Sequence, residues 1–164
     1  MIVIDERDLA VEKQIGAYLA QMFQWSRIEW APVGEKSYDL MYWGPYGGIG
    51  WCEIKADWAS QQTQNAFFEI KNTGLRIDSG LVSTRANVWA HYFPGRGRIL
   101  CVDPKALLWW LNVHHKGTPR FEIRLSSEHS GDQNAQGYIV PCSVLCERAW
   151  IRQIPERDAL CLTR

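Results

Sequence analysis

The stretch that decides the fold is residues 37–55, which read SYDLMYWGPYGGIGWCEIK. Aromatic and aliphatic residues, which suit strands, lie on both sides of a Gly/Pro-rich segment at residues 44–48. This pattern predicts an antiparallel hairpin whose tip is the Gly/Pro segment. If Tyr42 lies opposite Gly50, the same register places Asp39 directly opposite Glu53.

The second strand of this hairpin carries its charged residues on one face. Side chains alternate along a strand, so Glu53 and Lys55 share one face while Cys52 and Ile54 take the other and can pack. The facing carboxylates of Asp39 and Glu53 would repel each other unless they shared a cation. Mg²⁺ prefers such hard oxygen ligands, and the backbone carbonyl of Ile54 would add another. The hairpin therefore predicts a metal site beside Lys55, whose ammonium would orient a water or stabilise charge on a phosphate.

Elements on both sides of the hairpin follow from periodicity and from breaking residues. Residues 5–24 repeat apolar residues at helical spacing and predict an amphipathic first helix. Residues 84–93 also show a helical pattern, which ends at a Pro-Gly pair. The remaining predicted elements are strands at 28–30, 65–71 and 98–103, a loop at 56–64, a helix at about 104–114, a hairpin formed by 120–125 and 137–140 around a polar loop at 126–136, and a final helix near 142–149.

This order predicts an α/β (α+β) fold in which a central mixed β-sheet is flanked by helices. A chain of 164 residues suits one hydrophobic core, so we expect a single domain spanning residues 1–164. Its core would cover about 5–103, and about 104–164 would form a C-terminal elaboration with extra helices and a hairpin. The composition, 46% hydrophobic and 22% charged, argues against a disordered chain.

Charge and cysteine usage narrow the classes of function. Eighteen basic residues balance eighteen acidic ones, so any nucleic-acid binding must come from a local patch. Since no apolar run approaches the roughly 20 residues of a membrane helix, and the N-terminus lacks a signal-peptide plan, we expect a cytoplasmic protein without membrane association. Five cysteines without a CxxC pair predict reduced thiols rather than disulfides or a standard zinc site.

At the hairpin the sequence resembles the PD-(D/E)XK nuclease superfamily. Asp39 stands at the proline–aspartate element, with Tyr38 in place of the proline, and residues 53–55 (Glu-Ile-Lys) match the ExK element. The predicted element order, αβββ(β)αβ, also matches and implies a restriction-endonuclease-like core. In the Holliday-junction-resolvase-like and viral replication-and-repair branches, a glutamate of the first helix joins the site, and Glu12 is the matching residue. Residues 57–69 resemble a phage-encoded group of these enzymes.

The resemblance implies an Mg²⁺-dependent or Mn²⁺-dependent deoxyribonuclease acting in DNA recombination, repair or phage replication. Its catalytic residues would be Asp39, Glu53, Lys55 and Glu12, of which the three acidic residues and the Ile54 carbonyl would bind metal. Because no separate recognition domain is evident, we expect selectivity for a DNA structure such as a junction, flap or end. A homodimer is one arrangement that the resemblance allows.

Several further residues are weaker candidates for the site. Trp58 follows the ExK strand and would stack on unpaired bases. Other expected substrate contacts are Thr63, Asn65, Arg76 and Arg85. Glu69 is either an outward-facing strand residue or a group that orients Lys55 or Thr63, and Glu12 is either a site residue or a solvated helix charge.

Three alternative functions stay open. The chain could be a catalytically inactive nuclease-fold protein that binds DNA as an accessory factor, although it keeps all four charged positions. It could be a restriction-type endonuclease, which the missing recognition domain disfavours. A purely structural or interaction protein would leave the coincidence of Asp39, Glu53 and Lys55 unexplained.

Overall fold

The computed structural model describes residues 6–94, 96–115, 122–125, 135–146 and 151–153. In chain order its elements are α1 (Glu6–Met22), β1 (Arg27–Trp30), β2 (Leu40–Trp43), β3 (Ile49–Ala56), α2 (Ser60–Thr63), β4 (Asn65–Asn72), β5 (Ile77–Asp78), β6 (Val88–Phe93), β7 (Arg98–Val102), α3 (Pro104–His115), β8 (Glu122–Leu125), β9 (Ala135–Pro141), α4 (Cys142–Cys146) and β10 (Ile151–Gln153).

The strands form two sheets. The larger has the order β1-β2-β3-β6-β7-β10, and the smaller has the order β5-β4-β9-β8. In the larger sheet β3 and β6 pair in parallel, while all other neighbours are antiparallel. The predicted mixed α/β fold with a mixed sheet is therefore confirmed, as is the antiparallel pairing of the two strands near residues 120–125 and 137–140.

The hairpin formed by β2 and β3 has the predicted register, with Tyr42 paired to Gly50. Gly50 has a steric role here, because a Cβ at this position would collide with the Tyr42 ring. That ring stacks on Trp25 with centroids 4.1 Å apart. The absence of a side chain at Gly50 thus lets Tyr42 lie flat over the strand and fixes the pairing from which the site is built.

The helix predicted at residues 84–93 is wrong, because the structure has strand β6 there. Residues 89–93 of this strand are all buried. A strand covered on both faces shows no polar–apolar alternation, so its sequence is easily taken for a buried helix. The chain therefore crosses from β3 to its parallel neighbour β6 through the four-residue helix α2 and the strands β4 and β5, and no long helix lies in this crossover. The loop predicted at 56–64 likewise contains the short helix α2.

Two hydrophobic clusters lie on opposite faces of the larger sheet. The first cluster packs α1 residues such as Ile15 and Leu19 onto Leu40, Cys52 and Ile54. The second cluster joins the other face of β6 and β7 to the smaller sheet and to α3. Its members include Trp89, Phe93, Leu100, Phe68, Val140, Leu107 and Leu111. The predicted apolar face of β3, with Cys52 and Ile54, is therefore the face that α1 covers.

Some sequence predictions reach beyond the described residues. The final helix is described over Cys142–Cys146, while residues 147–149 lie outside the described ranges, as does most of the predicted polar loop at 126–136. Cys52, Cys101 and Cys142 are not in disulfide bonds. Among the described helices, none is both long enough and apolar enough to cross a membrane.

Candidate active site

Asp39 lies immediately before β2 and is held against β3 by its backbone and its side chain. The regular pairing of β2 with β3 ends at Leu40 and Cys52, so Asp39 does not continue the ladder opposite Glu53. Instead its N–H donates to the Cys52 carbonyl at 2.9 Å, and the Ile54 N–H donates to its Oδ2 at 2.6 Å. Asp39 therefore bonds to the residues on both sides of Glu53, and its carboxylate is fixed at this edge of the strand.

Glu53 is a buried carboxylate, only 6% exposed. Its Oε1 lies 2.6 Å from the Nζ of Lys55. Its Oε2 is buried and has no hydrogen-bond partner within the part of the chain that the structure describes. Burial raises the pKa of Glu53 above its ordinary value, and the nearby Asp39 charge raises it further, while Lys55 opposes both. The two oxygens of one buried carboxylate thus stand in different environments.

Lys55 lies at the solvent side of this group, with 43% of its side chain exposed. Desolvation alone would lower the pKa of its ammonium, but Glu53 and Asp39 together raise the pKa above its ordinary value. The amine is therefore protonated at neutral pH. It can donate hydrogen bonds but has no free lone pair with which to accept a proton.

Glu12 joins the same group from the neighbouring helix. It is half-buried on α1, and its charge is one of those that raise the pKa of Lys55. The strength of a charge interaction falls with distance, so this coupling places Glu12 in the electrostatic neighbourhood of the ammonium. The structure thus brings Asp39, Glu53 and Lys55 together, and the charge of Glu12 acts on the Lys55 ammonium from α1.

The donor atoms of this group fit a divalent cation. In the described ranges, no three His, Cys, Asp or Glu side chains are close enough to form a complete metal cluster. Two carboxylates remain, and one of them has the orphaned Oε2 of Glu53. The N–H and C=O of a strand residue face the same neighbour, so the Ile54 carbonyl points to the edge where its N–H meets Asp39. Two carboxylates and one carbonyl match the protein ligands that Mg²⁺ uses alongside water and phosphate.

A second buried charge, Asp57, lies two residues beyond Lys55 and was not singled out in the sequence. Its Oδ2 lies 3.1 Å from the Nε2 of His91 and accepts the Phe67 N–H, while its Oδ1 accepts the Ser60 N–H. Burial by itself would raise the pKa of Asp57, but His91 and the two N–H donors lower it below its ordinary value. This carboxylate therefore ties the end of β3 to α2, β4 and β6.

The sequence offered little signal for this pair. The helical pattern over residues 84–93 predicts His91 on a helix, where it has no relation to β3. In the structure His91 is paired with Lys55 across the parallel strands. Its Nδ1 accepts a 3.4 Å hydrogen bond from the Trp89 indole, and its Nε2 lies 3.1 Å from the Oδ2 of Asp57. The pair anchors the strand that presents Lys55.

The predicted substrate contacts that follow β3 make contacts within the protein. Trp58 is half-buried and packs against the α1 cluster. Thr63 donates from its hydroxyl to the Ala59 carbonyl, and the Asn65 side chain donates to the Thr63 carbonyl. The last two side chains therefore stabilise the turn between α2 and β4.

Of the remaining candidate site residues, two lie in the smaller sheet or its turn and one lies beside the hairpin. Glu69 accepts a hydrogen bond from the Ser79 hydroxyl rather than from Lys55 or Thr63. Arg76 is exposed, with a φ of 57°, in the turn between β4 and β5. Arg85 alone reaches the hairpin, where its guanidinium carbon lies 5.9 Å from the centroid of the Trp51 ring.

Comparisons of this chain with protein-family models, with curated proteins and with solved structures found no match.

Proposed function

We propose that this chain is a metal-dependent nuclease of the PD-(D/E)XK type that hydrolyses phosphodiester bonds in DNA. The observation that carries the proposal is Glu53, a buried carboxylate next to a second carboxylate. One of its oxygens pairs with Lys55, and the other has no hydrogen-bond donor among the described residues. A buried acceptor without a partner costs about 1–3 kcal/mol. A divalent cation between Glu53 and Asp39 would remove that cost and the repulsion between the two acids.

A purely structural role explains this arrangement less well. Buried ion pairs contribute little net stability, because desolvating the charges offsets their attraction. A structural pair would gain most if both carboxylate oxygens were hydrogen-bonded. Within the described ranges one oxygen of Glu53 accepts no hydrogen bond, and Asp39 adds a like charge beside it. Unfavourable electrostatics of this kind are typical of functional sites, where stability is given up for chemistry.

The residues divide the work as follows. Asp39, Glu53 and the Ile54 carbonyl would hold Mg²⁺ or Mn²⁺, which when bound supplies Lewis-acid activation of water and neutralises charge on the phosphate. Lys55 donates hydrogen bonds to the attacking water or to a phosphate oxygen, since its raised pKa keeps it protonated. Glu12 adds negative charge beside the amine. Because it is protonated, Lys55 does not act as the general base in this proposal.

The proposal extends to a restriction-endonuclease-like core built from α1, β1, β2, β3 and β6. It is supported by the placement of the Glu-Ile-Lys element on β3 and of α1 on the apolar face of that strand. The crossover through the smaller sheet departs from the helix that the resemblance implies. Selectivity for a junction, flap or end, a role in recombination, repair or phage replication, and assembly as a homodimer rest on the resemblance.

The decisive experiment incubates single-stranded, linear duplex and branched DNA with the protein and Mg²⁺ or Mn²⁺. Wild type is compared with Lys55→Ala and with Lys71→Ala, a matched change of an exposed lysine on β4. We expect cleavage by wild type and Lys71→Ala, and its loss in Lys55→Ala. Equal cleavage by Lys55→Ala would overturn the assignment of this site. A folded wild type that binds DNA without cutting it would instead indicate an inactive nuclease-fold binding protein.

A further inference from the structure

The hairpin carries one sheet face that neither hydrophobic cluster covers. Met41 and Trp51 form one cross-strand pair, and Trp43 and Ile49 form the next. By strand alternation these four side chains share the face of Glu53. Of the residues that the structure describes, those in the two clusters do not include any of the four. Ile49 is 56% exposed, and the other three are half-buried.

Each tryptophan of this face has an arginine beside its ring. The Arg27 guanidinium carbon lies 4.6 Å from the centroid of Trp43, and the Arg85 guanidinium carbon lies 5.9 Å from that of Trp51. Arg27 also pairs with the exposed Glu29, which offsets part of its charge. A guanidinium that lies against an indole keeps its N–H edges available for phosphate oxygens. The face therefore presents two matched aromatic and cationic positions.

This surface, defined by Arg27, Trp43, Trp51 and Arg85, is continuous with the candidate site. Trp51 and Glu53 are next neighbours on one face of β3, about 7 Å apart along the strand. The backbone around Trp51 is also firmly held, because its N–H donates to the Asn87 side chain and its carbonyl accepts the Asn87 N–H. A ligand lying along these positions would reach Lys55 at its end.

We infer that this surface binds single-stranded DNA and leads it to Glu53 and Lys55. The inference rests on the proposed nuclease function, because the strand it describes is the substrate. Flat aromatic rings that are partly open to solvent, as Trp43 and Trp51 are, bind unpaired bases by stacking, and adjacent arginines bind the phosphates between them. The bases of a duplex are stacked on each other and cannot offer their faces to a sheet. The preferred substrate would then contain a single-stranded segment, as a flap or an overhang does.

The net charge of the chain would not by itself attract DNA. Its formal net charge is zero, so non-specific attraction to a polyanion is weak and binding must depend on these local contacts. An apolar protein partner would not need the two guanidinium groups. The cations at Arg27, Arg85 and Lys55 instead complement a phosphate backbone that ends at the proposed point of cleavage.

The test measures binding in EDTA, where metal-dependent cleavage cannot occur. The probes are a fluorescein-labelled oligothymidylate and a blunt duplex of the same length, and the readout is fluorescence anisotropy. We expect tighter binding of the single strand and a loss of about tenfold in affinity for Trp51→Leu, the size of one base-stacking contact. Trp109→Leu is the matched control, because Trp109 is 67% exposed on α3, and we expect it to bind as wild type does.

The outcomes separate this inference from the proposed function. Equal binding of the two probes, or wild-type affinity in Trp51→Leu, would overturn the inference even if wild type cleaves DNA. Selective binding through Trp51 without cleavage in Mg²⁺ would support the inference and contradict the nuclease. If Trp51→Leu does not fold, as judged by circular dichroism, Arg85→Gln and Trp43→Leu give the same test. A change of oligomeric state in these variants without a change in DNA affinity would identify a second copy of the chain as the occupant and overturn the inference.

Discussion

Replacing Lys55 by methionine should destabilise the protein near neutral pH and much less in mild acid. Methionine keeps most of the packing volume of the lysine stem but removes the ammonium that lies 2.6 Å from Glu53. The buried carboxylate of Glu53 then loses the favourable charge of Lys55. The carboxylate can avoid being buried with an uncompensated charge by taking up a proton. The free energy of that protonation is therefore an upper limit on the loss of stability.

The limit can be worked from the ordinary pKa of the group. Protonating a carboxyl with a pKa of 4.5 near pH 7 costs about 3.4 kcal/mol, at about 1.36 kcal/mol per pH unit. The pKa of Glu53 is already raised in the wild type, and Lys55 is partly solvated, so the expected loss is smaller, about 2 kcal/mol.

The pH dependence follows from the direction of this shift. In Lys55→Met the pKa of Glu53 in the folded protein rises further above its unfolded value of 4.5. Between the two values the folded state binds more protons than the unfolded state, so stability falls as pH rises through this window. Lowering the pH from about 7 to about 5 should therefore recover part of the lost stability.

Urea unfolding followed by tryptophan fluorescence at these two pH values measures the effect. Lys71→Met, an exposed lysine substitution on β4, should change the free energy of unfolding by less than about 0.5 kcal/mol. The double variant Glu53→Gln/Lys55→Met should regain much of the loss, because no buried carboxylate is left unpaired. If Lys55→Met were as stable as wild type at both pH values, Lys55 would not stabilise the buried carboxylate of Glu53, and the reasoning would fail.

Three further perturbations test other parts of the molecule. Asp39→Asn keeps an acceptor for the backbone N–H but removes a metal ligand, so Mn²⁺ affinity measured by calorimetry should fall at least about tenfold, and unchanged affinity would contradict the proposed site. Asp57→Asn should lower the free energy of unfolding by about 2 kcal/mol near neutral pH. Because the folded pKa of Asp57 is lowered, its stabilisation is present above its unfolded pKa of 3.8 and is lost as pH falls through the folded value, so acid titration of the variant should be flatter than that of wild type. Gly50→Ala should cost about 1–3 kcal/mol by displacing Tyr42, whereas Gly48→Ala, with open space around it, should be nearly neutral in thermal unfolding.

The hairpin was predictable because several local signals agreed. A Gly/Pro tip, aromatic strands and one glycine opposite a tyrosine define a single register, and this register brings Asp39 to the part of β3 that carries Glu53. The sequence did not predict that the ladder would end one residue early. That ending depends on how Asp39 bonds to the backbone on both sides of Glu53, which no periodic pattern encodes.

The error at β6 had a physical cause and a cost. A strand buried on both faces carries apolar residues without alternation, and only its long-range pairing with β3 distinguishes it from a buried helix. Taking it for a helix hid the relation of His91 to Asp57. The same error concealed that two strands of the smaller sheet, β4 and β5, lie in the connection between β3 and β6. The local sequence is compatible with a strand at β6, but the pairing that distinguishes it from a helix is with β3, which lies far away in the sequence.

The crossover between β3 and β6 has a consequence for the order in which the molecule assembles during synthesis. The segment containing α1, β1, β2 and β3 emerges from the ribosome before β6 and contains the hairpin with its acidic residues. The edge of β3 that pairs with β6 stays unpaired until α2, β4, β5 and then β6 have been synthesised. Pairings between distant segments form slowly, and an uncovered strand edge invites association with other chains. Fragments that stop short of β6 should therefore aggregate even though they contain every residue of the candidate site.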